Sequence, residues 1–323
     1  FSKLEIDDFH RVLRFIGYRS MGLDKIEFSK DQLVAIIKEA KDFCIDLDFG
    51  VSDFLKDILT KVPLFVQDGL YIKWAHKSIQ EYFAASFIFT DSKAKQGKIL
   101  TTIARAKGNR YANTLDIYYS IDPVSFRRFV IYTFLQDHIA GLVKLRKIWP
   151  NIEPRVATLL LTSKHALVRT DSNGVFSLMR EWAKKNDEVE DWGSKGPFHS
   201  KEKEYRSLKI LSGYPSESAV LYLLGLKRVD FITWSESEGI FPQKSPESVT
   251  YLNALNLEPE KVYILSATKT DKYFKTLNIN ELVNSFNDSI FSVDELKAKA
   301  LINVIAKEIE KEQSDDFLMG GLE

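Results

Sequence analysis

The residues most able to do chemistry lie where a strand-like run gives way to a helical one. In the stretch DGLYIKWAHKSIQEYFAASF, residues 68–87, His76 stands at that junction. The first turn of a helix has backbone N–H groups without intrahelical partners and carries the positive end of the helix dipole, so it attracts anions. A neutral imidazole there adds a directed donor without a permanent charge. These properties make a phosphate contact at His76 physically plausible, although a lone histidine at a helix start is more often a helix cap or a packed surface residue.

The chain has no sequence motif that would hold the rest of a nucleotide. A phosphate-binding loop needs G-x-x-x-x-G-K-[ST], and no such run occurs among its glycines. No apolar strand ending in acidic residues has the Walker-type pattern either. We therefore expect this chain to bind nucleotide weakly or not at all, to have no catalytic residues and not to be an enzyme by itself. The sequence begins at Phe1 rather than at methionine, so we expect a fragment whose phosphate-holding domain lies upstream.

The other polar residues do not form a recognisable catalytic or metal site. The histidines beyond residue 92 and the single cysteine lack the spacing of metal ligands, and two serines beside small residues lack the G-x-S-x-G setting of a nucleophile elbow. These residues are His138, His165, His199, Cys44, Ser212 and Ser266. We expect no metal site among them.

Two further groups have both a structural and a functional interpretation. An acidic cluster is more typical of a solvated linker than of a metal site, and three tryptophans are candidates either for anchoring a partner or for packing in a core or loop. The acidic cluster is Asp187, Glu188, Glu190 and Asp191, and the tryptophans are Trp182, Trp192 and Trp234.

The composition is that of an ordinary globular protein of two or three domains. The 323 residues are 45% hydrophobic, and 45 acidic residues balance 45 basic ones, which argues against a protein that wraps nucleic acid. The single Cys44 excludes an intramolecular disulfide framework and fits a reducing cytosol. The apolar run 219–226 is too short to span a membrane, and no signal peptide follows Phe1. We expect a cytoplasmic protein without a membrane partner.

The first ninety residues predict helices around a hairpin. Apolar residues at helical spacing predict three helices in turn; the second starts with a capping box, Ser29 and Gln32, and the third is capped by Ser52. An Asp-Gly pair between apolar runs is a strong hairpin signal. In order, the predicted elements are a helix over 5–19, two helices ending near Cys44 and Pro63, a hairpin turning at 68–69 and a helix over 77–89. Three helices, a two-stranded wing and a closing helix predict a winged-helix domain over residues 1–92.

A winged helix usually binds DNA through its third helix. Here that helix, VSDFLKDILTK, sets Asp53 and Asp57 beside Lys56 and Lys61 and lacks the Arg, Asn or Gln residues that read bases. The balanced net charge also supplies little of the phosphate attraction that dominates DNA affinity. DNA is therefore a disfavoured partner, and a winged-helix transcription regulator with a ligand-binding C-terminal domain is the alternative function.

Together with the hairpin before it, the run WAHKSIQEYFAASF resembles the end of the nucleotide-binding region of NACHT-type STAND NTPases. These are the NLR-like proteins of animals and their bacterial relatives, and their winged-helix domain typically closes with F-x-H-x-S-F-Q-E-Y-F-A-A. The matching residues are Trp74, His76, Ser78, Gln80, Glu81, Tyr82, Phe83, Ala84 and Ala85, and Ile79 replaces the usual aromatic. The resemblance covers about residues 5–92, under a third of the chain.

The resemblance implies a regulatory role rather than a catalytic one. In that family the histidine that matches His76 contacts the β-phosphate of ADP and holds the closed state, while an upstream nucleotide-binding domain binds ATP or ADP with Mg²⁺. Such bacterial proteins act in antiviral, commonly antiphage, defence, a form of innate immunity. By analogy, residues 93–318 would recognise a foreign phage protein or another trigger, and activation would produce a homo-oligomer.

Beyond residue 92 the pattern predicts helices first and a mixed domain last, so the whole chain is expected to be mainly α with a smaller α+β part. Residues 93–186, with a helix start at Asp122-Pro123, are typical of a helical bundle or an irregular solenoid. Residues 187–206 are typical of a linker or exposed loop. Residues 207–318 predict a small α+β or α/β domain, the sensor, with strand-like runs SLKIL, VDFITW and KVYILSAT, while AVLYLLGL fits strand or helix.

The last helix is expected to start at a second capping box, Ser292 and Glu295, and to run to about residue 312. Its predicted inward residues are Leu296, Ala300, Leu301, Val304 and Ile305. An enzyme seated in residues 207–312 is a third functional class, which requires a pocket with convergent polar groups.

Overall fold

The computed structural model is mainly helical with small antiparallel sheets, which confirms the predicted fold class at this level. It has two compact units, one of residues 1–104 and 111–130 and the other of residues 105–110 and 131–323. The residues that the structure describes are 1–106, 110–170, 178–179, 181–182, 185, 201–205, 208–213, 216–234, 250–252, 254–286 and 291–319.

Helices and short strands alternate in the first ninety residues. They are α1 (Ile6–Gly22), β1 (Glu27–Ser29), α2 (Lys30–Phe43), α3 (Val51–Thr60), β2 (Phe65–Asp68), β3 (Tyr71–Trp74) and α4 (Lys77–Thr90). The strands form one antiparallel sheet with the order β1-β3-β2, so β3 lies in the middle. In the register of this sheet, Ile72 on β3 pairs with Phe28 on β1 and with Gln67 on β2.

The predicted helices and hairpin are present, with two local differences. The sequence did not predict β1, because a strand of three residues shows no periodicity of its own; its last residue, Ser29, also caps α2 in the predicted capping box with Gln32. The predicted Ser52 cap is wrong, since Gly50 is the N-cap residue of α3. The added strand matters for the site, because β1 holds the side of β3 opposite β2.

Close packing of α1 against α4 organises the core of the first unit. A Cβ atom at Gly17 on α1 would lie 2.7 Å from the Cβ atom of Phe83 and 3.0 Å from the backbone nitrogen of Ala84, so glycine permits this approach. Ile72 and Trp74 on β3 are buried in the same core. One hydrophobic core therefore holds both β3 and α4, and with them the junction between the two elements.

The first unit continues past residue 92, where the sequence predicted a domain boundary. It also contains α5 (Gln96–Ala104), α6 (Ala112–Ile121) and α7 (Pro123–Phe126). Asp122 caps α7 by accepting a hydrogen bond from the Ser125 N–H at 3.0 Å, and Pro123 is the first helical residue, as predicted. A π-helical turn, Arg127–Ile131, follows directly.

The second unit packs helices on a four-stranded antiparallel sheet. Its elements are α8 (Tyr132–Ile148), α9 (Pro154–Thr162), β4 (Lys164–Arg169), β5 (Lys201–Tyr205), β6 (Leu208–Gly213), α10 (Ser216–Leu226), β7 (Ile232–Trp234), β8 (Val262–Leu265), α11 (Ile279–Phe286), β9 (Phe291–Val293) and α12 (Glu295–Met319). The sheet has the order β5-β6-β4-β8, and β7 pairs with β9 separately. The three strand-like runs thus contain strands as predicted, and AVLYLLGL is helical.

The sheet joins segments that the sequence placed in different domains. β4 belongs to residues 93–186, which were expected to be helical, and it pairs with β6 on one side and with β8 on the other. The predicted linker 187–206 contains β5, which pairs with β6. Leu167 faces the larger core, while Ala166 and Val168 pack on the opposite face of the sheet. Because both faces of β4 are buried, its sequence lacks the alternation that marks a half-exposed strand.

The last helix begins differently from the prediction. Ser292 lies in β9 opposite Thr233. Asp294 caps α12 by accepting hydrogen bonds from the N–H groups of Leu296 and Lys297 at 3.0 and 3.1 Å. The predicted capping box at Ser292 is therefore wrong, because Ser292 belongs to a paired strand and Asp294 is the residue that caps the helix.

The buried face of α12 differs as well. Of the predicted inward residues, Ile305 is buried and Leu301 is partly buried. The prediction is wrong for Leu296, which is 82% exposed, and for Ala300 and Val304, which are also exposed. Helical periodicity identified an apolar stripe but did not show which part of it meets the core.

Candidate functional site at the strand–helix junction

His76 lies just after the central strand of the first sheet and caps the helix that follows. β3 ends at Trp74, and His76 has extended backbone angles and is the N-cap residue of α4. The strand end is held on both sides: the Trp74 N–H donates to the Ile26 carbonyl at 3.0 Å, and the Ala75 N–H donates to the Leu64 carbonyl at 2.8 Å. The backbone that carries the imidazole is therefore fixed by two neighbouring chain segments.

The side chain of His76 is exposed, and its Nδ1 atom accepts a hydrogen bond from the Ser78 N–H at 3.2 Å. This bond confirms the helix-cap role that the sequence left open. A neutral imidazole whose Nδ1 accepts a hydrogen bond carries its proton on Nε2. The ring therefore keeps an N–H donor, and the cap and a phosphate contact use different nitrogen atoms.

The first turn of α4 offers fewer N–H groups to an anion than the sequence predicts. The imidazole takes the Ser78 N–H, and the Ile79 N–H donates to the His76 carbonyl at 3.1 Å. The Lys77 side chain is 56% exposed, and its ammonium lies 3.7 Å from the Glu81 carboxylate. Attraction for a phosphate would therefore come mainly from the imidazole, the lysine and the helix dipole.

Gln80, from the same motif, positions the junction instead of facing solvent. Its side chain is buried, and Nε2 donates to the Ser20 hydroxyl at 2.9 Å and to the Lys25 carbonyl at 2.7 Å. The indole Nε1 of Trp74 donates to the same hydroxyl at 3.2 Å. These bonds join the end of β3, the start of α4 and the end of α1, and they satisfy polar groups that are costly to bury alone.

Most other residues of the motif also pack within the first unit. Glu81 is buried and accepts a hydrogen bond from Asn113 Nδ2 at 2.5 Å. Ala84 and Ala85 are fully buried, whereas Tyr82 is 53% exposed. The motif thus places one exposed imidazole on a framework of packed side chains.

The third helix has little to offer a DNA groove. Its exposed residues are Ser52, Lys56 and Thr60, one on each successive turn. The Lys56 ammonium lies 3.5 Å from Asp53. Asp57 is buried and accepts hydrogen bonds from the backbone N–H and the hydroxyl of Ser2 at 2.7 and 2.6 Å. This face presents one lysine, already near a carboxylate, and no side chain suited to reading bases.

No protein-family model, curated protein or solved structure matches this chain significantly. None of the helices that the structure describes is long and apolar enough to cross a membrane.

The histidines of the second unit that the structure describes are packed side chains. His138 on α8 is 4% exposed, and burial lowers its pKa to about 4; its Nε2 has no hydrogen-bond partner among the described residues. His165 on β4 is fully buried, and burial lowers its pKa to about 3. Within the described part of the chain, no group of three or more potential metal ligands comes together.

Sequence reasoning did not pair Ser163 with His165, although the Ser-x-His spacing was the available signal. The Ser163 hydroxyl lies 2.9 Å from Nε2 of His165 and donates to the Leu159 carbonyl at 2.6 Å. Because the hydroxyl proton goes to that carbonyl, the imidazole is the donor in the Ser163–His165 contact. Both side chains are buried, so this pair joins the end of α9 to β4 and does not act as a nucleophile and base.

The remaining sequence candidates have structural surroundings or lie outside the described side chains. Ser266 is buried and bonds to the backbone of Lys269 within one turn. Trp182 is partly buried, with the Lys269 ammonium 4.5 Å from its ring centroid, and Cys44 is buried in the core of the first unit. The candidates outside the described side chains are Asp187, Glu188, Glu190, Asp191, Trp192, His199, Ser212 and Trp234.

Proposed function

We propose that residues 1–92 form the winged-helix domain of a NACHT-type STAND NTPase and that His76 contacts a phosphate of ADP held by a nucleotide-binding domain outside this chain. The rest of the chain is its regulatory, trigger-sensing part. The whole protein would bind ATP or ADP with Mg²⁺, act in antiviral defence in the cytoplasm and form homo-oligomers when activated. The sensing step is a difference in affinity between closed and open states, so this chain needs no catalytic residue.

The exposed imidazole on a rigid junction is the observation that carries this proposal. The element order α1-β1-α2-α3-β2-β3-α4, with the sheet order β1-β3-β2, supports a winged helix. His76 has Nδ1 engaged by Ser78 and an Nε2 donor left for a ligand. Since Trp74 and Gln80 tie β3 and α4 to one buried hydroxyl, a contact at His76 would move strand and helix together. Such coupling is what a sensor of nucleotide state requires.

The sensor role of the second unit rests on domain order by analogy. The unit has its own sheet and its own hydrophobic core, which fits a part of the protein that binds a trigger separately.

A winged-helix DNA-binding regulator is the second candidate function, because the same element order is used for DNA binding. The exposed face of α3, with Lys56 as its one cationic side chain, disfavours it. DNA binding by this chain that weakens steeply with added salt would support this candidate.

The matched variants His76→Asn and His76→Ala separate the two roles of the histidine in the full-length gene product. Asparagine is a good N-cap residue and alanine is not, so only the alanine variant should lose about 1 kcal/mol of stability. Both variants lack the imidazole, so both should release ADP faster and become active without a trigger. The measurements are the ADP retained after gel filtration and the urea unfolding curve of the same samples.

Leu70→Ala, in the hairpin turn, is the control, and it should retain ADP like the parent. ADP loss in the alanine variant alone would assign His76 to the helix cap only. Unchanged ADP occupancy in both His76 variants would remove the phosphate contact altogether.

A further inference from the structure

A π-helical turn interrupts the helical run that begins with α7 and continues as α8. The turn is Arg127–Ile131; α7 ends directly before it, and α8 begins directly after it. In a π turn each N–H bonds to the carbonyl five residues earlier instead of four, so the turn holds one residue more than an α-helix on the same path. The chain passes from the first compact unit to the second between residues 130 and 131, within this turn. Single π turns inside α-helices are frequent at functional sites.

Two residues of α5 hold this turn at Phe129. A Cβ atom at Gly97 would lie 2.4 Å from the Cε1 atom of the Phe129 ring, so the ring fills the space that glycine leaves. One helical turn further along α5, the Thr101 hydroxyl donates to the Phe129 carbonyl at 3.3 Å. The neighbouring Thr102 instead donates to the Lys98 carbonyl of its own helix at 2.7 Å, as helical threonines commonly do. Gly97 and Thr101, called the α5 clamp below, therefore hold both the ring and the carbonyl of one residue in the turn.

Conversion of the π turn to an α-helix would shift one of the two adjoining helices by one residue. In an α-helix one residue corresponds to about 1.5 Å along the axis and about 100° of rotation. Five side chains of α8 are buried, but only one of the four-residue α7, Phe126. Because α8 is anchored more firmly, α7 is the helix that would move. Packed elements change between discrete arrangements and not continuously, so the turn has two forms, the π form of this structure and an α form.

The short helix α7 is attached to α6 at two points. The fully buried Phe126 lies edge-on to Tyr119, with ring centroids 5.1 Å apart. The carboxylate of Asp122, which caps α7, also accepts a hydrogen bond from the Tyr118 hydroxyl at 3.1 Å. A shift of α7 by one residue would therefore displace α6 or break both contacts.

Near its other end, α6 is bound to the helix that His76 caps. Asn113 Nδ2 donates to the Glu81 carboxylate at 2.5 Å, and Glu81 is a buried residue of α4. A displaced α6 would leave this buried carboxylate without its amide donor, which is costly. Contiguous contacts thus lead from the π turn through α7 and α6 to α4.

We propose that the turn Arg127–Ile131 is a two-state switch that the α5 clamp holds in its π form. Conversion to the α form moves α7 and, through α6, loosens the start of α4 around His76. A trigger that binds the α form better would shift the equilibrium towards it and act on His76 from a distance. The effect of the switch on ADP rests on the proposed function, whereas the two forms of the turn do not.

A pair of spin labels within the first unit measures whether α7 has two positions. The labels would replace Val124 on α7 and Lys38 on α2, which are both exposed. The chain would also carry Cys44→Ala, since Cys44 is its single native thiol. Rotation by about 100° carries the label on α7 to another side of its helix. The α form should therefore give a second distance in pulsed electron spin resonance.

We expect one distance in the labelled parent chain and a second distance when the clamp is weakened. Thr101→Val lacks the hydroxyl donor but keeps the shape of threonine, and Gly97→Ala displaces the Phe129 ring. Thr101→Ser keeps the hydroxyl and should behave like the parent, and Thr102→Val is the matched control on the same helix. A single, unshifted distance in both clamp variants would overturn the switch, as would the same second distance in Thr102→Val. Thermal melting of each labelled variant shows that it is folded.

ADP release from the full-length protein tests the link to His76. Thr101→Val and Gly97→Ala should release ADP about fivefold faster or more, and Thr102→Val should release it at the parental rate. Unchanged release in both clamp variants would overturn the link, and ADP loss in His76→Asn would then still support the proposed function. A second distance in the clamp variants of a protein that never holds ADP would support the switch and overturn the proposed function.

Discussion

At the scale of single residues, burial decides what the histidines can do. His138 and His165 lie in the interior of the second unit, where a charged ring would lose its hydration, and burial lowers their pKa values to about 4 and about 3. His76 is exposed on the first unit and keeps a ring donor for a ligand. The same residue type is therefore packed in its neutral form inside one unit and is the candidate ligand contact of the other.

The two buried histidines should make stability depend on pH between 5 and 7. Their pKa values in the folded chain lie below the unfolded value of about 6.5, so the unfolded state binds more protons in this range. Stability should therefore fall as the pH drops below about 6.5, by up to about 1.4 kcal/mol per pH unit for each histidine. Hydrogen bonds from Arg146 and Lys299 lower the pKa of Glu295 to about 2. Glu295 therefore also makes the folded chain less stable as the pH falls, but only below about 4.5, the ordinary pKa of a glutamate.

Urea unfolding followed by circular dichroism at pH 7, 6 and 5 measures this dependence. His138→Leu removes one of the two titrating groups and should flatten the loss of stability over that range. A variant that loses as much stability as the parent between pH 7 and 5 would contradict a role for His138.

Sequence analysis singled out His76 as a candidate ligand contact but did not identify Ser20, which holds the surroundings of His76 in place. Ser20 accepts hydrogen bonds from Trp74 and Gln80, which lie 54 and 60 positions further along the chain. A serine near the end of an amphipathic helix leaves no periodic signal, so its role becomes visible only when the fold brings these three residues together. The motif around His76, by contrast, is contiguous, and contiguous patterns can be recognised before the fold is known.

At the scale of elements, sequence analysis predicted the helices and strands whose sequence patterns lie within one short, contiguous stretch. The helices α1, α2 and α4 have apolar stripes, and the Asp-Gly turn marks the β2–β3 hairpin. The strands β1 and β4 were missed for different reasons: β1 has three residues, and β4 is covered on both faces, so neither shows alternation. The predicted cap at Ser292 failed because pairing with Thr233 on a distant strand competes with local capping.

The α1–α4 contact gives a prediction at this scale. Gly17→Ala would place a Cβ atom 2.7 Å from Phe83 Cβ and 3.0 Å from backbone atoms of α4, so the two helices would have to separate. We expect a loss of about 1–3 kcal/mol in the free energy of unfolding, the usual range for overpacking. Urea unfolding of the isolated chain measures it.

Gly22→Ala is the matched control on the same helix. A Cβ atom at Gly22 would meet no other atom within 4 Å, and alanine favours a helix over glycine by up to about 1 kcal/mol. This variant should be neutral or more stable than the parent. Equal destabilisation by the two substitutions would contradict the close α1–α4 approach as the cause.

At the scale of the whole molecule, the division of the chain follows long-range strand pairing and not composition. The charged, glycine-containing stretch 187–206 is typical of a linker, yet β4 before it pairs with β6 and β8 after it. The larger core likewise combines side chains from α8, α9 and β4 with others from β6, β8 and α11. Composition shows how polar a segment is, whereas a domain is defined by which segments bury one another's apolar surface.

Two fragments therefore should behave differently, although both contain residues 207–323. The fragment 131–323 keeps β4, α8 and α9, and we expect it to fold and to melt cooperatively. The fragment 207–323 lacks β4 and β5, so β6 and β8 lose every strand with which they pair in this sheet. It also lacks the part of the core that α8 and α9 supply, including Leu145, Val156 and Leu160. We expect it to remain unfolded or to aggregate, because exposed edge strands and apolar faces have no partner. Far-UV circular dichroism during heating distinguishes the two, and a cooperative transition in 207–323 alone would restore the domain boundary that the composition predicts.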